Sequence, residues 1–353
     1  MTDETLYTET AADLQNEPEE LYEHHRITVD RGQETMRLDR YLQMRLEGIS
    51  RNKIQAAAKA GCILVNEKTT KQSYRIKPLD VVSVLLPTPP RDTEIMPEEI
   101  AIDVAYEDDD VLVVNKPAGM VVHPGYGNYT GTLLNALAFY YRDKVDREGN
   151  PIVPYLVHRI DKDTSGLLLI AKNEEAQACL AKQFFDHTIE RKYRALVWGD
   201  FDEEQGTVVG NLARSAKDRR VMAVYDDPTV GKHAVTHWRV VERFGYVTLI
   251  ECVLETGRTH QIRAHMRHLG HPLFNDAAYG GDQILKGTTF SKYRQFIENC
   301  FLLLPRQALH AMVLGFEHPT THQQMHFEAP MPADMSSVLD KWRNYAVSAS
   351  TQG

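Results

Sequence analysis

Four prolines lie between residues 87 and 97, in the sequence PTPPRDTEIMP. Proline removes a backbone N–H and fixes φ, so a segment this rich in proline is disfavoured in helix interiors and central strands and favours an extended spacer. We therefore predict a linker at residues 87–99. It divides the chain into a small domain at residues 28–86 and a large domain at residues 100–345.

The net charge of the chain, −9 at pH 7, combines two regions of opposite sign. Residues 1–25 hold eight acids and no Lys or Arg, a charge of −8, and we expect residues 1–27 to form a disordered acidic tail. Residues 31–86 hold 11 Lys or Arg against 5 Asp or Glu, an excess of 11 − 5 = +6. This segment is a candidate surface for a polyanion, and a solvated basic face without a partner is the alternative.

The basic segment has the pattern of two helices followed by short strands. RLDRYL has helical spacing, Ser50 can cap a second helix, and GCILVNEK and SYRIKPLDVVSVLL are strand-like. Arg51 and Lys53 fall in the first turn of the second helix, where positive charge opposes the helix dipole unless a phosphate binds there. Over about Met36–Leu86 the pattern resembles the S4 RNA-binding domain, which implies an αα-β domain that binds RNA.

Several classes of protein are disfavoured by composition. The four cysteines are far apart and include no CxxC pair, which argues against a disulfide framework or a zinc knuckle. The sequence has no secretion signal and no run of about 18 apolar residues. We expect a cytoplasmic protein with no membrane partner. The oligomeric state leaves no pattern in the sequence, and our working expectation is a monomer with a frayed C-terminus at residues 346–353.

Two polar clusters in the large domain carry candidate chemistry. HRIDKDTSG, residues 158–166, places Asp161 between two basic residues in a loop flanked by apolar stretches, and the turn-forming residues around it also fit an ordinary loop. GRTHQIRAHMRHLGHP, residues 257–272, holds three arginines and four histidines. The histidine spacing is not HExxH and no acid or cysteine lies nearby, so we predict no metal site. The arginines indicate an anion, either a phosphate or a buried carboxylate such as Asp161.

Four motifs occur in one order: HRIDKDTSGLLLIAK, ERKYRALV, TGRTHQIRAHMRHLGHPLFND and RQALHAMVLGFEHP. They closely resemble the motifs of the RluA-type pseudouridine synthases from about Asp109 to Met331. With the S4-like front end, the chain is most similar to the ribosomal large-subunit pseudouridine synthase D branch. The resemblance implies an α+β fold, in which a mixed, mainly antiparallel central sheet with flanking helices and a catalytic cleft is joined to the S4-like domain.

The resemblance also implies a function. Such enzymes isomerise uridine to pseudouridine in RNA without a cofactor or metal, here in large-subunit (23S) ribosomal RNA or a pre-ribosomal particle. Asp161 would be the one catalytic acid, ionised beside Arg263. Tyr193 would stack on the target base, with acceptance of the C5 proton as a further catalytic role. Leu309 would line the same pocket, and Arg159 would fill the space left by the flipped base.

Other readings remain open. The same chemistry could act on tRNA or at another rRNA site, and a noncatalytic RNA-binding or ribosome-assembly protein would also contain an S4-like domain. A metal-dependent hydrolase would use the histidines. Whether Asp161 attacks the sugar, attacks the base or removes a sugar proton is also open.

Overall fold

A computed structural model describes residues 22–46, 51–59, 61–86, 95–125, 128–218 and 220–350. The described residues fall into two compact units. The small unit holds the residues up to Ile95 together with His123–Thr130, and the large unit holds Met96–Val122 and the residues from Gly131 onwards. Among the described residues, every helix is too short or too polar to span a membrane.

The small unit consists of two helices and an antiparallel sheet with the strand order β1-β4-β2-β3. Its elements are β1 (Tyr22–Thr28), α1 (Leu38–Arg45), α2 (Arg51–Lys59), β2 (Ile63–Val65), β3 (Lys68–Thr69) and β4 (Val81–Leu86). Leu38, Tyr41 and Leu42 are buried on one face of α1, as their helical spacing predicted. Ser50 and the linker residues 87–94 lie outside the described residues.

Strand β1 differs from the sequence prediction, which placed residues 22–27 in the acidic tail. It pairs antiparallel with β4, with Ile27 opposite Val82. The strand was missed because it follows directly on the acidic tail. Its pairing with β4, far along the chain, also gives no signal in the local sequence.

The large unit contains an 11-stranded sheet among its described residues, with the path β11-β10-β12-β13-β9-β14-β8-β6-β5 and with β15 on β14 and β7 on β8. Its strands are β5 (Val104–Glu107), β6 (Val111–Lys116), β7 (Tyr155–Leu156), β8 (Ser165–Ala171), β9 (Glu190–Trp198), β10 (Gln205–Arg214), β11 (Met222–Tyr225), β12 (Lys232–Arg243), β13 (Val247–Leu254), β14 (Leu309–Glu317) and β15 (Gln324–Glu328). The described pairings are antiparallel except that of β14 with β8. The predicted α+β class and mainly antiparallel sheet are confirmed.

Five α-helices accompany this sheet in the described part of the unit. They are α3 (Leu133–Tyr141), α4 (Glu174–Phe185), α5 (Gln261–His268), α6 (Ser291–Leu303) and α7 (Ala333–Ser350). Asn173 caps α4 as predicted, accepting the N–H of Ala176 at 2.8 Å. Helices α6 and α7 share a core with β9 and β13 that includes Trp198, Leu249 and Trp342.

Helix α7 continues to Ser350 and so includes residues 346–350, which the sequence analysis assigned to a frayed end. Tyr345 packs beside the buried Trp342, with ring centroids 5.6 Å apart. This contact holds the helical turn that precedes residues 346–350. Residues 351–353 lie outside the described residues.

Candidate active site

Asp161 lies in the loop between β7 and β8, as predicted. The N–H of Thr164 donates to the Asp161 carbonyl at 3.1 Å and closes a tight turn. Gly166 follows at a φ of +116°, where a Cβ atom would lie 2.1 Å from the carbonyl oxygen of Ala311. Strand β8 therefore needs glycine at its second residue, because it approaches β14 too closely there for a side chain.

Lys116, from the KPAG sequence at the end of β6, supports the loop from a buried position. Its Nζ donates to the carbonyl oxygens of Pro117 and Met120 at 2.8 Å each, and to that of Lys162 at 2.9 Å. Burial lowers the pKa of Lys116 to about 7, while Asp161 and Asp163 act in the opposite direction. Three carbonyl acceptors require all three ammonium protons, so we treat the lysine as a cation that ties two turns together.

Arg306, from the RQALHA motif, holds the other end of the loop. Its Nη1 donates to the carbonyl oxygens of Asp163 at 3.0 Å and Leu309 at 3.1 Å. Its Nε and Nη2 reach the two carboxylate oxygens of Asp334 on α7, at 2.7 and 3.0 Å. The backbone around Asp161 is thus held by two buried cations that the sequence analysis did not single out.

The structure brings Asp161 and Arg263 together, as the resemblance implied. Nη1 of Arg263 donates to Oδ2 of Asp161 at 3.1 Å. The Nε and Nη2 atoms of the same guanidinium donate to Oδ2 and Oδ1 of Asp276 at 2.8 and 2.9 Å. Because Asp276 holds one edge of the guanidinium in a fork, the remaining edge is fixed toward Asp161. We name this set, Asp161, Arg263 and Asp276, the acid–arginine–acid cluster.

The electrostatics of the cluster favour an ionised Asp161, whose side chain is 19% exposed. Burial would raise the pKa of Asp161, but neighbouring positive charge holds it below its usual value: that of His260 in its protonated form, and that of Arg263 and Arg159. Burial also lowers the pKa of His260, so at neutral pH the permanent buried cation beside the carboxylate is Arg263.

The other predicted residues of the pocket lie on the sheet and on the loop. Tyr193 on β9 is buried; burial raises its pKa, Arg191 opposes this, and the charge of Asp161 raises it further. Leu309 is buried and pairs with Ala195, two residues from Tyr193, so both side chains lie on one face of the sheet. Arg159 is exposed beside the buried Ile160.

Asp276 and Tyr279 are site residues that the sequence analysis missed. Asp276 ends the quoted PLFND sequence and is 1% exposed. Its side chain also caps the 3-10 turn Ala277–Tyr279 by accepting the N–H of Tyr279. The centroid of the Tyr279 ring lies 4.8 Å from Cζ of Arg263. A turn-forming Asp after Asn has no sequence signal that pairs it with an arginine 13 residues earlier.

One group of potential metal ligands occurs among the described residues: Asp108, Asp110 and His318. Nε2 of His318 lies 2.9 Å from Asp108, and Nδ1 of His318 accepts the N–H groups of Thr320 and Thr321. Oδ1 of Asp110 accepts from Nδ2 of Asn173 at 2.9 Å. All three side chains are therefore accounted for by hydrogen bonds within the fold.

The small unit contains a second arginine cluster. The buried Asp39 accepts hydrogen bonds from Arg37 at 3.0 Å, from Arg51 at 3.0 and 3.1 Å and from Gln55 at 2.8 Å. The side chains of Arg37 and Arg51 remain 45% and 48% exposed. The positive charge of Arg51 in the first turn of α2 is thus compensated by Asp39 on α1, an ion pair that the helix-dipole argument did not predict. The side chain of Lys53 lies outside the described residues. We name this set the Asp39 cluster.

Two family models match this chain, one in each unit. Residues 110–268 match the family model described as RNA pseudouridylate synthase, and residues 36–82 match the S4 domain. An uncharacterized RNA pseudouridine synthase of Chlorobaculum parvum is 45% identical over 90% of this chain and 97% of its own length. The ribosomal large subunit pseudouridine synthase D of Zymomonas mobilis is 43% identical over 86% of this chain and 92% of its own length.

A solved structure shares the fold. The human RNA pseudouridylate synthase domain containing 4 superposes with a TM-score of 0.52 at 20% identity, covering 68% of this chain and 93% of the human one.

Proposed function

The chain belongs to the RNA pseudouridine synthase family, and on that premise we propose that it isomerises specific uridines of large-subunit ribosomal RNA through Asp161. The activity follows from the family. The RNA substrate is proposed because the Zymomonas mobilis relative is named a ribosomal large subunit enzyme. The observation that carries the role of Asp161 is its contact with Arg263 at 3.1 Å.

One carboxylate suffices for this reaction. A hydrolytic glycosidase pairs two acids, because one protonates the leaving group and the other attacks or activates water. Pseudouridine formation breaks the bond from C1′ to N1 and forms one from C1′ to C5, so the uracil is both leaving group and nucleophile. The proton on C5 leaves and N1 gains one, which leaves atoms and charge in balance. No step needs water, a metal ion or a redox cofactor.

Asp161 has to be ionised to act as a nucleophile or a base. In a partly buried pocket a carboxylate would tend to take up a proton, and the neighbouring guanidinium opposes this. Because Asp276 occupies the other edge of Arg263, the cation stays beside Asp161 without reorganising during the reaction.

We assign the remaining residues as follows. Tyr193 stacks on the extruded uracil; because its pKa is raised, the phenol keeps its proton, and we do not assign it as the acceptor of the C5 proton. Leu309 on the same face lines the pocket. Arg159, exposed on the catalytic loop, fills the gap in the RNA helix. Extrusion of a stacked base costs a few kcal/mol, which such contacts offset.

The small unit contacts RNA phosphates outside the catalytic pocket in this proposal. Asp39 fixes the guanidiniums of Arg37 and Arg51 while leaving nearly half of each side chain exposed. A fixed, exposed guanidinium is suited to a phosphate oxygen because less side-chain entropy is lost on binding. Lys53 is proposed as an additional contact on the same helix. The cytoplasm, where such RNA is assembled, is the proposed location.

The test measures pseudouridine in large-subunit rRNA transcripts after incubation with wild-type protein, Asp161→Asn and Asp202→Asn in the presence of EDTA. We expect wild-type conversion and a loss of at least about 10³-fold for Asp161→Asn, which keeps the shape but not the charge. Asp202 is exposed in a turn of the same unit and serves as the matched control. Full activity of Asp161→Asn contradicts the role of Asp161. Conversion of tRNA but not rRNA transcripts would support the alternative substrate.

A further inference from the structure

His260, at the start of α5, has an unusual backbone conformation. It is the N-cap residue of the helix, with a φ of +53° and a ψ of +23°, and its side chain makes no capping hydrogen bond. Left-handed backbone is uncommon for a residue other than glycine and costs free energy that other interactions have to offset. The imidazole is instead turned toward Tyr279 and Asp161.

The hydrogen bonds around Tyr279 determine which nitrogen of His260 carries the proton. The N–H of Met222 donates to Oη of Tyr279 at 2.8 Å, and burial raises the pKa of this phenol. The phenol therefore keeps its proton and needs an acceptor. Nδ1 of His260, at 3.0 Å, is in place to accept it. A neutral imidazole that accepts at Nδ1 carries its own proton on Nε2.

That Nε2–H faces the catalytic carboxylate. Nε2 lies 4.0 Å from Oδ2 of Asp161, the same oxygen that accepts from Arg263. A distance of 4.0 Å is too long for a hydrogen bond, but catalytic contacts are often long before substrate binds and shorten in the complex. Both donors are directed at Oδ2, which leaves Oδ1 as the oxygen presented to the nucleotide.

The charged groups that face His260 are Asp161 on the loop, Arg263 on α5, Arg214 at the end of β10 and Asp276 before the 3-10 turn. Burial is the largest influence and lowers the pKa of His260; Asp161 and Asp276 act to raise it, Arg263 and Arg214 act to lower it, and the net shift is downward. The imidazole is thus neutral at physiological pH and adds a hydrogen-bond donor without a second cation that would weaken the carboxylate as a nucleophile.

We propose that His260 is a positioning residue: as a neutral imidazole whose Nε2–H is set by Tyr279, it donates to Oδ2 of Asp161 when RNA is bound and so turns Oδ1 toward the target ribose. The proposal rests on the proposed role of Asp161. It assigns Tyr279 and the Met222 backbone as the groups that orient the histidine.

The experiment compares His260→Asn and His260→Gln in single-turnover conversion of an rRNA transcript that the wild type modifies, together with RNA affinity. Asparagine tolerates left-handed backbone and is too short to place a donor at the Nε2 position. Glutamine can place its amide N–H near that position. Loss of a hydrogen bond to a charged group costs about 10- to 100-fold in rate.

We expect His260→Asn to slow the single-turnover rate about 10- to 100-fold with RNA affinity within about twofold, and His260→Gln to recover most of the rate. Tyr279→Phe, which removes the proton that sets the tautomer, should slow it less. A wild-type rate for His260→Asn, or equal losses for Asn and Gln, overturns the proposal. Because the wild type and Asp161→Asn are measured on the same transcript, failure of Asp161→Asn to lose activity would instead locate the fault in the proposed function.

Discussion

The two units of the protein contain arginine–carboxylate clusters of opposite construction. In the Asp39 cluster, one fully buried acid holds two arginines that are nearly half exposed. In the acid–arginine–acid cluster, one arginine with 9% of its side chain exposed lies between a buried acid and the partly exposed Asp161. The exposed partner has the opposite sign in the two cases. The first cluster presents cations to the surroundings, and the second presents an anion.

The difference shows that burial determines which partner of an ion pair can contact a ligand. A buried charge needs a partner, and the partner that remains accessible is the one that can meet a ligand. Exposed guanidiniums suit phosphates, whereas an accessible carboxylate fixed by a buried cation suits covalent or acid–base chemistry. Substitutions in the two clusters should therefore separate RNA binding from catalysis.

The largest effect is expected for Arg263→Met, which leaves Asp276 buried without its cation. We expect the free energy of unfolding to fall by about 3–5 kcal/mol and the single-turnover rate to fall at least about 10³-fold. Arg263→Lys keeps the charge but cannot reach both acids, so it should recover stability more than rate. Urea unfolding and rRNA conversion measure the two quantities, and a wild-type rate in a folded Arg263→Met protein would contradict the comparison.

Asp39→Asn is expected to have a smaller effect on stability and little effect on the chemical step. The arginines it releases are nearly half exposed and stay hydrated, so we expect a loss of about 2 kcal/mol in unfolding free energy. RNA affinity should fall while the rate at saturating RNA stays within about twofold. A fall in the saturated rate comparable to that of Arg263→Met would show that the two clusters do not have separate roles.

The same cluster predicts a pH dependence of stability. The Arg37 hydrogen bonds outweigh burial and lower the pKa of Asp39 from its usual 3.8. Because the folded-state pKa is lowered, the stabilisation is present above about pH 4 and is lost as the pH falls below that value. Unfolding free energies of wild type and Asp39→Asn should therefore differ at pH 7 and converge under acid conditions. A constant difference down to pH 2 would exclude this origin.

Arg51→Gln is expected to give the smallest effect. Removal of one phosphate contact should weaken rRNA binding several-fold and reduce the slope of log affinity against log salt by about 1. Lys68→Gln, on the exposed strand β3, is the control for a change of charge in the same unit. Equal effects of the two substitutions would indicate a general contribution of charge instead of a fixed contact.

Sequence reasoning found the reactive residues more readily than the residues that hold them. Asp161 and Arg263 are 102 positions apart. The arginine-rich cluster made Asp161 one candidate partner, and the family resemblance singled out Arg263. Asp276, Tyr279 and the loop-supporting Lys116 carry no local signal, because a buried ion or a lysine bound to carbonyl oxygens is defined by tertiary contacts.

Secondary structure was likewise predictable where it depends on neighbouring residues and not where it depends on distant ones. The helical spacing of residues 38–46 and the cap at Asn173 were predictable, since both depend on neighbouring residues. Strand β1 and the partner of Arg51 were not, because each depends on a segment elsewhere in the chain.

The charge of Asp161 is the central claim and can be measured directly by a carbon-13 NMR titration of its labelled carboxyl group. We predict a pKa below the usual 3.8 in the wild type and a clear rise in Arg263→Met, in which the cation is gone. A wild-type pKa above 3.8, or a value that does not change on loss of Arg263, would contradict the account.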